Sequence, residues 1–103
     1  MFVSGNEIPN FVIPTEENIF IAEPEVNITQ LIAVDFNGNS ISNFEITGID
    51  KNLFMINHEN YLLLKNPSNY ETKSSYEIKI VAIAENGNSI DISINIQVQD
   101  GNF

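Results

Sequence analysis

The segment Ile90-Asp91-Ile92-Ser93-Ile94-Asn95-Ile96-Gln97-Val98 alternates without a fault between apolar and polar side chains. Successive side chains of an extended chain point to opposite faces, so this run buries one face and wets the other. A helix would scatter the same apolar residues around its circumference. Tyr76-Glu77-Ile78-Lys79-Ile80-Val81-Ala82 repeats the pattern, and Glu85-Asn86-Gly87-Asn88 lies between the two runs. An Asn-Gly pair suits the positive backbone angles of a tight turn, so the runs are predicted to form an antiparallel hairpin.

The same reading extends upstream. Asn18 to Ala22 reads as a strand that continues Phe11 to Ile13 after a break at Pro14. Val26 to Val34 is the next, followed by a second Asn-Gly turn at Asn37-Gly38-Asn39. Ile41 to Ile46 follows with Phe44 and Ile46 inward. Leu53 to Ile56 and Tyr61 to Lys65 form a hairpin, with Asn60 suited to a left-handed turn position. Asn66-Pro67-Ser68-Asn69 is a loop. No stretch places apolar residues at helical spacing over three turns. Seven short strands, with turns about every ten residues, predict an all-β, antiparallel Greek-key sandwich of immunoglobulin-like type.

Two internal echoes bear on organisation. Ala33-Val34-Asp35-Phe36-Asn37-Gly38-Asn39-Ser40-Ile41 resembles Ala82-Ile83-Ala84-Glu85-Asn86-Gly87-Asn88-Ser89-Ile90. Ser4-Gly5-Asn6 near the start is matched by Asp100-Gly101-Asn102 near the end. A chain that closes on its opening phrase reads as one unit of a tandem array. The expected division is a preceding linker at 1–10, a domain at 11–99 and the start of a following linker at 100–103.

Charge narrows the function. Fourteen acids against four lysines and no arginine give a net charge of −10. Phosphate backbones need a basic surface, so nucleic acid is excluded as a partner. A strongly acidic surface favours cations. Without cysteine there is neither a disulfide framework nor thiolate chemistry. No apolar run reaches the length of a membrane span. The N-terminal residues lack the features of a signal peptide, so an export signal is expected outside this chain. Enzyme templates fail: the single histidine, His58, sits in a turn, and no phosphate-binding loop occurs.

Oxygen ligands are better represented. Calcium takes six to eight oxygens from carboxylates, amides and carbonyls. Glu23 ends the first strand, Asn69 and Glu71 stand in the loop, and Asp100 and Asn102 in the tail. Asp35 and Asn37 lie in the first Asn-Gly turn. Taken singly, each of these reads as an acid or amide in water.

Taken in order, Ala33-x-Asp35-x-Asn37-Gly38-Asn39, Phe54-x-Ile56, Leu62-x-Leu64, Asn69-Tyr70-Glu71, Tyr76-x-Ile78-x-Ile80-x-Ala82 and Val98-x-Asp100-x-Asn102 resemble a cadherin repeat of the bacterial cadherin-like kind. The resemblance spans nearly the whole chain, from Asn6-Glu7-x-Pro9-x-Phe11 to the tail. It implies a unit that works in tandem, secreted or at the cell surface, with calcium at the junctions between repeats. Glu23 looks like the glutamate at the base of the first strand. Asn69 and Glu71 match the Asp-x-Glu loop, with one acid reduced to an amide. Asp100 and Asn102 match the start of the linker. Asp35 and Asn37 match an Asp-x-Asp pair, again with one amide, and Asn6 could join them in a second site. Ala84 stands where a further aspartate belongs, beside an off-axis Glu85, and Ser4 replaces a linker aspartate. The Glu23, Glu71 and Asp100 end is therefore expected to be the better site, and the Asp35 end weak or empty.

The implied role is a structural spacer or adhesion module whose partners are neighbouring repeats and, for adhesion, a second copy or a cell-surface or carbohydrate ligand. Two other readings stay open. A carbohydrate-binding sandwich would need an aromatic platform, for which Tyr61, Tyr70 and Phe36 are the candidates. A calcium-independent immunoglobulin-like or fibronectin-like spacer would leave the acids as solvated decoration.

Overall fold

The computed structural model describes residues 9–35, 37–41, 43–85 and 87–100. Alternation translates directly into burial along the two longest strands, β9 (Ser75–Ile83) and β10 (Ser89–Gln99). Tyr76, Ile78, Ile80 and Ala82 of β9 are buried, as are Ile94, Ile96 and Val98 of β10, while Ile90 and Ile92 are partly buried against the core. The strands pair antiparallel from Ser89 opposite Ile83 to Gln97 opposite Ser75.

Among the described residues there are eight further strands. They are β1 (Asn10–Ile13), β2 (Asn18–Ala22), β3 (Asn27–Gln30), β4 (Ile32–Val34), β5 (Ser40–Ile41), β6 (Phe44–Thr47), β7 (Phe54–Ile56) and β8 (Tyr61–Leu64). A 3-10 turn, Lys51–Leu53, precedes β7. The expected seven passes are present, but three are split. Pro14 divides β1 from β2, Leu31 divides β3 from β4, and β5 ends at Ile41 before β6 begins at Phe44.

The splits let one pass serve both layers. One layer has the order β2-β10-β9-β6, and the other is assembled from β1-β4-β5 and β3-β8-β7. The first pass therefore begins against β4 and ends against β10, and the third begins against β4 and ends against β9. One pairing departs from the antiparallel expectation: β2 runs parallel to β10, with Asn18 opposite Asn95 and Ala22 opposite Gln99. A strand that joins the opposite layer after a crossover can enter in the direction of its new neighbour, which a hairpin cannot do.

The layers enclose one principal core. Ile28, Leu31, Phe54, Leu62 and Leu64 from one side meet Ile21, Tyr76, Ile78, Ile80, Ile94, Ile96 and Val98 from the other. Phe54 and Tyr76 meet edge to face with ring centroids 5.4 Å apart. Phe44 and Ile46 pack against this core from β6, as their inward placement predicts. A smaller cluster of Ala33, Ile41, Ala82 and Ala84 closes one end.

Gly48 passes close against the main chain of β9. Its φ is +107°, and a Cβ there would lie 2.9 Å from the Ile78 Cα. Beyond it, the Asp50 carboxylate accepts the Glu77 N–H at 2.8 Å and faces the Lys73 ammonium at 3.5 Å. Burial, together with the nearby Asp50 charge, pushes the Tyr76 phenol above its ordinary value.

Candidate metal centre

Parallel pairing brings together the end of β2 and the end of β10. The ladder continues one step past Ala22 opposite Gln99, with the Glu23 N–H donating to the Gln99 carbonyl at 3.2 Å. Glu23 and Asp100 are the next residues of two strands that leave the sheet at the same edge. In an antiparallel arrangement they would stand at opposite ends.

Glu71 arrives from the loop between β8 and β9. That loop is anchored at its far end, where the Val98 N–H donates to the Ser74 carbonyl at 2.8 Å. Nearer the site, the Tyr70 N–H donates to the Glu23 Oε1 at 2.7 Å. Asn69 shapes the turn between these points: its Oδ1 accepts the Glu71 N–H at 3.1 Å, and its carbonyl accepts the Thr72 and Lys73 N–H groups. Asn69, expected as an amide or carbonyl donor to a metal, is thus the residue that sets where Glu71 stands.

One carboxylate oxygen from each of Glu23, Glu71 and Asp100 lies within 4.8 Å of the others. Two oxygens each about 2.4 Å from one calcium ion can be separated by at most about 4.8 Å. The three acids therefore match the spread that one such ion tolerates. Without a cation, each pair at that separation repels by about 1 kcal/mol in water and about 3 kcal/mol at an effective dielectric near 20. Among the described residues this is the one such group of acids. Asn102, expected to extend it, lies outside the described residues, as do Asn6, Ser4 and Phe36.

The Asp35 end is built differently. The Asp35 Oδ1 accepts the N–H groups of Asn37 and Asn39, both at 2.9 Å, and Oδ2 accepts the Asn39 amide at 3.3 Å. These bonds, that from Asn39 foremost, hold the Asp35 carboxyl below its ordinary value. An open depression there is lined by Asp35, Asn39, Asn43, Ala84 and Glu85. Ala84 is buried, so no ligand is supplied from that position. The two ends are separated by the length of β10, about 33 Å at the rise of an extended strand.

The same loop occurs at three hairpins. The Asp35 N–H donates to the Asn39 carbonyl and the Gly38 N–H to the Asp35 carbonyl. Asn57, Asn60 and Tyr61 repeat this arrangement, and so do Ala84, Gly87 and Asn88. The fourth residue of each has positive φ: Gly38 at 83°, Asn60 at 61° and Gly87 at 90°. Each is a three-residue connection that ends in a left-handed residue, longer than the tight Asn-Gly turn predicted for 85–88. Asn57 Oδ1 accepts the Glu59 and Tyr61 N–H groups, as Asp35 Oδ1 accepts those of Asn37 and Asn39. The internal echo between residues 33–41 and 82–90 is the trace of this shared loop.

Residues read from sequence for the other functions are less well placed. His58 is exposed in its turn, and Tyr61 is half-buried in β8. Tyr70 is exposed, but its main chain belongs to the acidic site. The Tyr70 amide was not foreseen as part of the site, because its bond to Glu23 spans 47 residues and leaves no local pattern.

No protein-family model and no curated protein sequence matches the chain. Solved structures do. Human protocadherin-24 EC1-2 superposes with a TM-score of 0.71 at 15% identity, over 88% of this chain and 43% of that one. The protocadherin gamma B7 extracellular cadherin domains 1–4 give 0.70 at 17% identity, over 94% and 25%. Mouse cadherin-23 EC22-24 gives 0.69 at 14% identity, over 93% and 32%. The chain thus has the fold of a cadherin domain, and it spans 25% to 43% of the lengths of these three chains.

Proposed function

We propose that this chain is a calcium-binding cadherin-like repeat, a spacer or adhesion module stiffened by calcium where it meets the next repeat. The observation that carries this reading is the convergence of Glu23, Glu71 and Asp100 from three separate parts of the chain, with ligand oxygens within 4.8 Å. Three carboxylates leave room for further oxygens, and Asn69, Asn102 and a following repeat are the proposed sources. The fold supports an extracellular setting and neighbouring repeats as partners. Homophilic contact or a cell-surface ligand, carbohydrate included, is the wider proposal for adhesion.

The carboxylates supply charge neutralisation and ligand exchange, and no reaction step is required of them. With the ion bound, the end of β2, the end of β10 and the β8–β9 loop are tied at one point. Extracellular sites of this oxygen-rich kind bind calcium at about 10⁻⁴ to 10⁻³ M. The Asp35 end supports the calcium-independent alternative for that pole, since the Asp35 carboxylate already serves its own turn. Asp35 and Asn37 are therefore retained only as a weak second site.

Thermal melting in millimolar calcium tests the reading, on one unit and on two units in tandem. A higher melting temperature in either supports it, and a response confined to the tandem form places the ion between repeats. If neither form responds, the acids are surface decoration.

A further inference from the structure

Only two of the chain's asparagines precede glycine, Asn37 and Asn86. Asn37 is exposed, and none of its side-chain atoms is hydrogen-bonded to the described residues. Gly38 follows with a φ of 83°, and among the described residues beyond its chain neighbours nothing lies within 4 Å of the place where a Cβ would stand. Glycine has no side chain to shield the main-chain nitrogen next to the Asn37 carboxamide. One bond restrains it, from the Gly38 N–H to the Asp35 carbonyl at 3.0 Å, in a loop open to water.

The other copy of the loop with a polar first residue shows the contrast. The Asn57 Oδ1 is held by two N–H groups, and His58 follows it. Asn60 is followed by Tyr61, whose N–H donates to the Asn57 Oδ1 at 3.0 Å. Asn69 Oδ1 is also held, by the Glu71 N–H. Asn37 combines a carboxamide without such a bond with a following glycine.

We infer that Asn37–Gly38 is a self-modifying site, where the folded protein converts an amide to an acid and a normal peptide link to an isoaspartyl one. The Gly38 nitrogen gives up its proton to solvent base and bonds to the Asn37 Cγ. The Cγ–Nδ2 bond breaks and ammonia leaves, which closes a five-membered succinimide. Water then opens the ring. Cleavage at Cγ leaves aspartate, and cleavage at the main-chain carbonyl leaves isoaspartate, with the backbone routed through the former side chain. Nothing is oxidised or reduced, and water is the only co-reactant.

Either product adds one negative charge beside the Asp35 carboxylate. The isoaspartyl product also lengthens the main chain between Asn37 and Gly38. That displaces Asn39, whose N–H and carbonyl both bond to Asp35. The loop would lose its closing bonds, at the end of the domain opposite the acidic triad.

The test is to hold the folded protein at mildly alkaline pH and physiological temperature, then map its peptides with fragmentation that separates aspartyl from isoaspartyl links. Asn37 is expected to convert at least about tenfold faster than Asn57, a difference of about 1.4 kcal/mol in barrier. Both products should appear, together with an acidic isoform of the intact chain. In Asn37→Ser the corresponding peptide should stay unchanged under the same conditions. Conversion at Asn37 no faster than at Asn57, or conversion only after denaturation, would overturn the inference.

Discussion

The Tyr70 main-chain N–H donates to the Glu23 carboxylate at 2.7 Å, joining the β8–β9 loop to the end of β2. Glu23 therefore has two tasks: it holds the loop, and it offers oxygen to the acidic site beside Glu71 and Asp100. The two can be separated by substitution.

Glu23→Gln keeps an acceptor for Tyr70 but removes a charge from the site. It should leave the calcium-free melting temperature at or above that of the parent, because the repulsions with Glu71 and Asp100 go with the charge, while weakening any response to calcium. Glu23→Ala removes the acceptor as well, and should cost about 1 kcal/mol even without calcium. Faster hydrogen exchange at the Tyr70 amide in Glu23→Ala, and not in Glu23→Gln, would be the accompanying sign.

Asp35 yields a pH dependence. Its folded-state value is lowered, chiefly by the Asn39 N–H. The stability it contributes is thus fully present above the ordinary aspartate range near about 4 and is lost as pH falls through the lowered value. Asn57 shows that a neutral carboxamide can hold the same loop. Asp35→Asn should accordingly fold normally at neutral pH and flatten the acid limb of the stability profile. A steeper acid limb in that variant would contradict the assignment.

Gly48 should tolerate no side chain. Gly48→Ala places a Cβ 2.9 Å from the Ile78 main chain at a φ of +107°. The expected loss is about 1–3 kcal/mol by denaturant titration. Gly38→Ala has the strained φ without the clash and should cost less.

The strands were legible because alternation is local: Tyr76 to Ala82 and Ile90 to Val98 each state their buried face residue by residue. The splitting of the third pass was not, since Ile41, Phe44 and Ile46 read as one run while β5 and β6 pair with different layers. The parallel entry of β2 is likewise a property of the crossover and has no signature of its own. This is why Glu23 and Asp100 could be linked only through resemblance, although their meeting follows from the Ala22–Gln99 pairing. Asp35-x-Asn37 is ambiguous for a different reason. An acid two residues before an amide suits a ligand pair and also a carboxylate that caps its own turn, and here Asp35 accepts from Asn37 and Asn39.

Calcium titration followed by main-chain amide NMR tests the central claim at the atoms concerned. The amides of Tyr70 and Glu71, and those of Glu23 and Asp100, should shift together and saturate in the millimolar range. Those of the Asp35 loop should move little. Glu71→Gln should abolish the response while leaving the remaining spectrum in place. If millimolar calcium leaves the Tyr70 amide unmoved in one unit and in two units in tandem, the three carboxylates are not a calcium site and the proposed role of this domain fails with them.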